Sequence, residues 1–229
     1  AHDSPPKIKA MVPGDLLDRP SCRVALEGIR LLRERFGDEV AVVGKVFGPW
    51  TLGYHMFGVE GFLISTIDRP DEVRRAMDTL KESTLAFAAA QIDAGADALC
   101  LADHATRDLC SPEAYRDFLK PIHAELVERI ACPLILHICG DTSDRVGMIA
   151  ETGVACFHYD SKVPDARARE LAGDRLALMG GTSNFSVIRE GDEAAIRTDV
   201  ARKIEVGIDI IGPECAVPLD APHESMRLL

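Results

Sequence analysis

Apolar residues in this chain fall in short runs separated by stretches of helical spacing. RVALEGIRLLRERFG (23–37) has apolar positions three and four apart and ends on glycine, which predicts a helix. EVAVVGKVFGP (39–49) is a β-branched run stopped by Gly-Pro and reads as a strand. A long helix is predicted over 70–95, with proline in its first turn, acids after it and glycine at its end. ADALCLAD (96–103) reads as a strand. The stretch 112–131 is helical, though Pro121 must kink or divide it. PLILHICG (133–140), VACFHYD (154–160), RLALMGGTSN (175–184) and IDIIGPEC (208–215) complete the strands, the third with a glycine turn. Helices are predicted over 143–153, 164–173 and 192–207, and another begins at 222. The first ten residues or so read as coil.

The six candidate strands are apolar on both faces and each is followed by a helix, the pattern of a parallel sheet covered by helices. No Gly-x-Gly-x-x-Gly follows any of them, so a dinucleotide fold has no support. The expectation is an α/β chain of the (β/α)8 TIM-barrel type. Such a barrel typically takes about 250 residues. A chain of 229 residues that opens in coil and closes inside a helix is expected to lack the N-terminal part. It is read as one barrel domain over 1–229, a fragment of a longer chain.

Composition narrows the partners. Net charge is -11, which argues against a nucleic-acid footprint. No apolar stretch approaches the roughly 20 residues that span a bilayer, and no signal peptide is visible, so a cytoplasmic protein with no membrane partner is expected. Seven cysteines, an odd number scattered through apolar segments, suit metal ligation or buried free thiols better than disulfides.

In a barrel the chemistry lies at the C-terminal ends of the strands. His137 and Cys139 end one strand, and residues two apart share a face, so both can meet one ion. An H-x-C triplet arises by chance about 0.2 times in this composition and is weak alone. Cys215, at another strand's end, supplies a second thiol. One imidazole and two thiolates form a zinc ligand set with an open fourth position. Asp160 is the natural oxygen donor for that position; its other reading is a carboxylate capping a loop or pairing with Lys162. His158 competes with it as ligand or supporting residue. Asp103 reads as a general base, a substrate anchor or an N-cap. Asn184 closes the glycine turn. The loop GPWTLGYHMFG (48–58) holds Trp50, Tyr54, His55 and Phe57, which either form a wall for a ligand or cover the core. On the first reading Tyr54, with Asn184, contacts substrate. Cys22, Cys100, Cys132 and Cys156 read as buried hydrophobes, and His123 and His223 as surface groups.

In order along the chain, GPWTL, AGADALCLADHA, LHICG, GGTSN and GIDIIGPECAVP resemble the uroporphyrinogen decarboxylase superfamily. They are most similar to its zinc-dependent corrinoid methyltransferase branch. The resemblance implies that His137, Cys139 and Cys215 ligate zinc. It puts Asp160 where the family often has a glutamate that can ligate zinc and yield to a substrate thiol, and Asp103 at an acidic strand end shared with the decarboxylases. It implies methyl transfer between a corrinoid and a thiol or other small methyl donor or acceptor. No corrinoid-binding Asp-x-His-x-x-Gly occurs here, so the methylcobamide or cobalamin would be carried by a partner corrinoid protein. Two rivals stand beside this. One is a metal-free decarboxylase-like lyase, whose arginine-rich segment the chain does not contain. The other is a non-catalytic barrel that binds a ligand or a corrinoid protein.

Overall fold

The computed structural model of the protein describes residues 13–37 and 39–229; the coil expected for the first ten residues lies outside them. Two helices come first, α1 (Pro13–Leu17) and α2 (Pro20–Phe36). Proline in the first turn of α2 costs no hydrogen bond, so the helix starts three residues before the predicted 23. Its buried side chains, Cys22, Leu26 and Ile29, recur at helical spacing.

Strand β1 (Val43–Phe47) follows, then α3 (Pro49–Phe57), α4 (Val59–Asp68) and α5 (Pro70–Asp93). The expected loop 48–58 is therefore a helix. Gly48 does end the strand, but Pro49 is pre-set for the first helical position, so the same dipeptide starts α3. Strand β2 (Ala98–Ala102) leads through α6 (Pro112–Ala114) and a π-helical turn (Tyr115–Leu119) into α7 (Lys120–Arg129). Pro121 divides the predicted helix as expected: it has no N–H to return, and the turn just before it widens. Then come β3 (Leu134–Ile138), α8 (Val146–Ala150), β4 (Cys156–Tyr159), α9 (Asp165–Ala172), β5 (Ala177–Gly180), a π-helical segment (Asn184–Arg189), α10 (Glu193–Val206) and α11 (His223–Leu228).

The five strands form one parallel sheet in sequential order, β1-β2-β3-β4-β5. An order with no reversal is the winding of a (β/α) barrel; a doubly wound sheet reverses at a switch point. The predicted strand 208–215 is not continuous. It meets β5 through two isolated parallel bridges, Met179 with Ile210 and Thr182 with Pro213. Pro213 has no N–H for a ladder, which limits regular pairing there.

Register sets which face each residue takes. Leu99, Leu101, Leu136, Phe157 and Leu178 are fully buried against the helices. Each stabilises the fold by roughly 1.5–3 kcal/mol. The alternate residues line the inner face in rows, one running Lys45, Cys100, Ile135, Cys156, Ala177. The next row towards the C-terminal ends runs Phe47, Ala102, His137, His158, Met179, Ile210.

Trp50, Tyr54, Phe57 and Phe62 pack edge to face or stacked between α3 and α4, so this aromatic segment covers the core. The packing leaves no room at Gly53, where an added Cβ would lie 2.5 Å from the Phe62 ring. Gly→Ala inside a helix ordinarily stabilises by up to about 1 kcal/mol. Here Gly53→Ala is expected to destabilise by about 1–3 kcal/mol in urea denaturation. A stabilised variant would contradict the close α3–α4 contact.

Candidate metal centre

Beyond β3 the chain passes through Cys139 to Gly140, which takes φ +83°, a left-handed conformation open to glycine. Any side chain there would also meet the Thr106 hydroxyl. This turn keeps His137 and Cys139 on one face. Cys215 reaches them from the bridged segment beside β5. His137 Nε2 lies 3.0 Å from Cys139 Sγ, and Cys139 Sγ lies 3.1 Å from Cys215 Sγ. Among the described residues, these three are the one group of His, Cys, Asp or Glu side chains with all ligand atoms within 4.8 Å of one another.

Ring orientation makes the group a usable donor set. His137 Nδ1 donates to the His158 carbonyl at 3.2 Å, which leaves the Nε2 lone pair facing the thiols. Burial, and after it the adjoining His137 ring, pushes the His158 pKa down to about 4, so His158 is neutral. Its Nε2–H donates to the Pro213 carbonyl at 2.6 Å, two residues before Cys215. Gly180, at φ +96°, leaves space for that ring, because a Cβ would overlap it. His158 thus supports the donors, as one of its two sequence readings had it.

The two thiols share charge across their contact. Cys215 is held far below the ordinary thiol range, first by its hydrogen bond with Cys139 and then by one with His137. The same contact, followed by burial, pushes Cys139 up. One imidazole nitrogen and two sulfurs, one already favouring the thiolate, could hold a soft-to-borderline divalent ion such as zinc.

The carboxylates predicted around the site are engaged elsewhere. Asp160 is outside the group. Its Oδ2 accepts from the Gly140 N–H at 2.8 Å and its Oδ1 from the Lys162 N–H at 3.0 Å. It caps loops and holds the turn that carries Cys139. Glu214 does the same for Cys215, accepting from the Asn184 N–H at 2.8 Å and the Ser161 N–H at 3.3 Å. Asn184 is buried beside them; its Nδ2 donates to the Ala216 carbonyl at 2.8 Å, while its Oδ1 has no protein partner. The role of Glu214 was missed by sequence reasoning, and its adjacency to Cys215 was the available signal.

Asp103 is also apart from the donors and only 1% exposed. Its Oδ1 accepts from the Thr51 N–H at 2.7 Å, capping the first turn of α3 from a neighbouring strand. Its Oδ2 lies 3.1 Å from His123 Nε2, and His123 Nδ1 lies 3.1 Å from the Tyr115 hydroxyl. His123 is fully buried, which corrects its assignment to the surface; its partner is 20 residues away and leaves no local pattern. His223 is exposed as expected. The Tyr54 hydroxyl accepts from Trp50 Nε1 at 2.5 Å inside the aromatic cluster, so Tyr54 is not brought to the donors.

A second polar cluster lies between α9 and α10. Buried Lys203 bridges Asp165 and Asp199, and Tyr159 and Thr182 donate to the same two carboxylates. The adjoining cavity of about 560 Å³ is lined by Ser161, Asp165, Ser183, Ser186, Asp199 and Arg202, among others, and by none of the three donors. Its charges are mutually satisfied, so the cluster clamps helices to the sheet.

The pattern of the uroporphyrinogen decarboxylase (URO-D) family matches residues 2–229, and the chain belongs to that family. It is similar to the methylcobamide:CoM methyltransferase MtaA of Methanosarcina barkeri, 32% identical over 222 residues, 96% of this chain and 66% of that protein. It is also similar to the methylated-thiol–coenzyme M methyltransferase of Methanosarcina mazei, 32% identical over 205 residues, 89% of this chain and 56% of that protein. A solved methyltransferase from Methanosarcina mazei superposes with a TM-score of 0.92 at 31% identity, covering 96% of this chain and 66% of that one. The chain therefore spans about two thirds or less of the length of these relatives. The barrel-type fold and the family resemblance read from the sequence both hold.

If Asp103 is a structural tie, Asp103→Asn keeps the metal donors intact and disturbs only its two bonds. It is expected to lose about 1–3 kcal/mol of stability, as buried hydrogen-bond losses do, with unchanged metal content in the folded protein. Loss of metal without loss of stability would contradict this placement.

Proposed function

We propose that this chain is a zinc-dependent methyltransferase that moves a methyl group between a corrinoid held by a separate protein and a small thiol. The observation that carries the reading is the convergence of His137, Cys139 and Cys215 from two separate chain segments. Three donors with no fourth protein ligand in the group suit a chemical site; structural zinc sites are usually closed by four. Zinc held there would lower the pKa of an incoming thiol while leaving its sulfur electron-rich, because two protein thiolates already donate to the metal.

The chain's own residues do the rest. His158 fixes the His137 tautomer and anchors the segment before Cys215. Asp160 and Glu214 hold the turns on either side, so the donors need little rearrangement to act. Asn184, buried beside this loop with its Oδ1 unpaired, is the residue this reading assigns to substrate contact. The relatives' names supply the corrinoid and the thiol: a methylcobamide and CoM for MtaA, a methylated thiol and coenzyme M for the other. The corrinoid protein would dock at the C-terminal ends of the strands, where the donors lie. No helix among the described residues is long and apolar enough to cross a membrane, in keeping with a role in the cytoplasm. A metal-free lyase would leave the clustered thiols without work, and it is the weaker reading.

Methylcobalamin and a panel of small thiols test the proposal directly. The purified chain is expected to carry about one zinc and to form a thioether with release of cob(I)alamin, followed by absorbance. Cys215→Ser should lose zinc and slow the reaction about 100-fold or more, as losses in metal-site support do. No methylated thiol, or full zinc and rate in Cys215→Ser, would overturn the reading.

A further inference from the structure

The seven cysteines all lie among the described residues, and all are free thiols. Cys22, Cys110 and Cys156 are buried, and the Sγ–H groups of Cys110 and Cys132 donate to backbone carbonyls beside them. One pair of sulfurs is in contact. Cys139 Sγ lies 3.1 Å from Cys215 Sγ, although the two residues are 76 apart in the chain. Both residues are half-buried, not sealed in the core.

A disulfide bond is about 2.05 Å long, so this contact needs to close by only about 1 Å to become one. The backbone on either side permits it. Cys139 stands one residue beyond β3, and Cys215 follows a segment that meets β5 through isolated bridges, so neither is fixed by a regular ladder. The third neighbour can handle the proton: His137 Nε2 is 3.0 Å from Cys139 Sγ. A thiol with a second thiol in contact has a partner to condense with once it is oxidised, which stops oxidation short of the irreversible acids.

We propose that Cys139 and Cys215 are a redox modification site, joined reversibly as a disulfide by hydrogen peroxide. Peroxide gives one oxygen to the Cys215 sulfur, which becomes a sulfenic acid, and its other oxygen leaves as water. The imidazole beside it makes Cys139 the attacking thiol: it passes its proton to His137 Nε2, and its sulfur attacks the sulfenic sulfur. The S–O bond breaks, and the departing hydroxide takes the proton back from His137 as a second water. Two thiols are oxidised, one peroxide is reduced, and a dithiol reductant reverses the change. Both sulfurs are then spent, so the disulfide and a metal ion exclude each other. Only this consequence rests on the zinc reading; the bond itself needs the two sulfurs alone.

The test is thiol counting and non-reducing peptide mapping on the zinc-loaded and the metal-depleted chain, each treated with hydrogen peroxide. The metal-depleted chain is expected to lose two of its seven free thiols, with Cys139 linked to Cys215 and dithiothreitol restoring all seven. The zinc-loaded chain should give the same bond and release its zinc as the bond forms. Cys139→Ser should form no bond and leave a sulfenic acid on Cys215 that dimedone traps. Cys100→Ser and Cys132→Ser, which remove the other half-buried thiols, should form the bond as the wild type does. An unchanged thiol count, a bond between another pair, or sulfinic acid at Cys139 or Cys215 in place of the bond would overturn the proposal and leave the zinc reading standing. A chain that forms the bond but takes up no zinc would keep the modification site and overturn the zinc reading.

Discussion

His158 touches both halves of the donor set. Its carbonyl takes the Nδ1 proton of His137, and its ring donates to Pro213, just before Cys215. Without this bridge the imidazole would lose the bond that sets its tautomer, and the segment carrying Cys215 would lose the tie at Pro213 that supplements its isolated bridges near β5. The bridge itself depends on parallel register, which sets His137, His158 and Met179 side by side in one row. It also depends on Gly180, the residue after Met179 on β5, whose missing side chain makes room for the ring. Chemistry here is a consequence of sheet geometry.

The acids around the site serve the backbone. Asp160 accepts the Gly140 N–H beside Cys139, Glu214, next to Cys215, accepts the N–H groups of Asn184 and Ser161, and Asp103 caps α3 while meeting His123. A carboxylate that accepts backbone N–H groups is a strong, charge-assisted tie. Three such ties along the strand ends hold irregular loops in fixed positions. That rigidity lets two flexible thiols stay within contact of each other and of an imidazole.

Much of this was legible in the sequence, for reasons that differ by residue. His137 and Cys139 could be paired because a strand's period of two is strict, and Cys215 because it closes another apolar run. The parallel α/β winding followed from strands apolar on both faces. The helix α3 was hidden because Gly48-Pro49 signals both a strand's end and a helix's start. His123 was hidden because its partners come from β2 and the turn before α7, not from neighbours in sequence. Asp160 and Glu214 could not be told from ligands, since a carboxylate that caps a loop and one that binds a metal look the same along the chain. The strand reading of 208–215 overlooked what Pro213 removes from a ladder.

The central claim is that His137, Cys139 and Cys215 bind one metal ion together. Zinc K-edge X-ray absorption on the purified chain tests it most directly. The account predicts two sulfur scatterers and one imidazole in the first shell, with one sulfur lost in Cys139→Ser. A first shell of nitrogen and oxygen alone, or a sulfur count unchanged by that substitution, would contradict it.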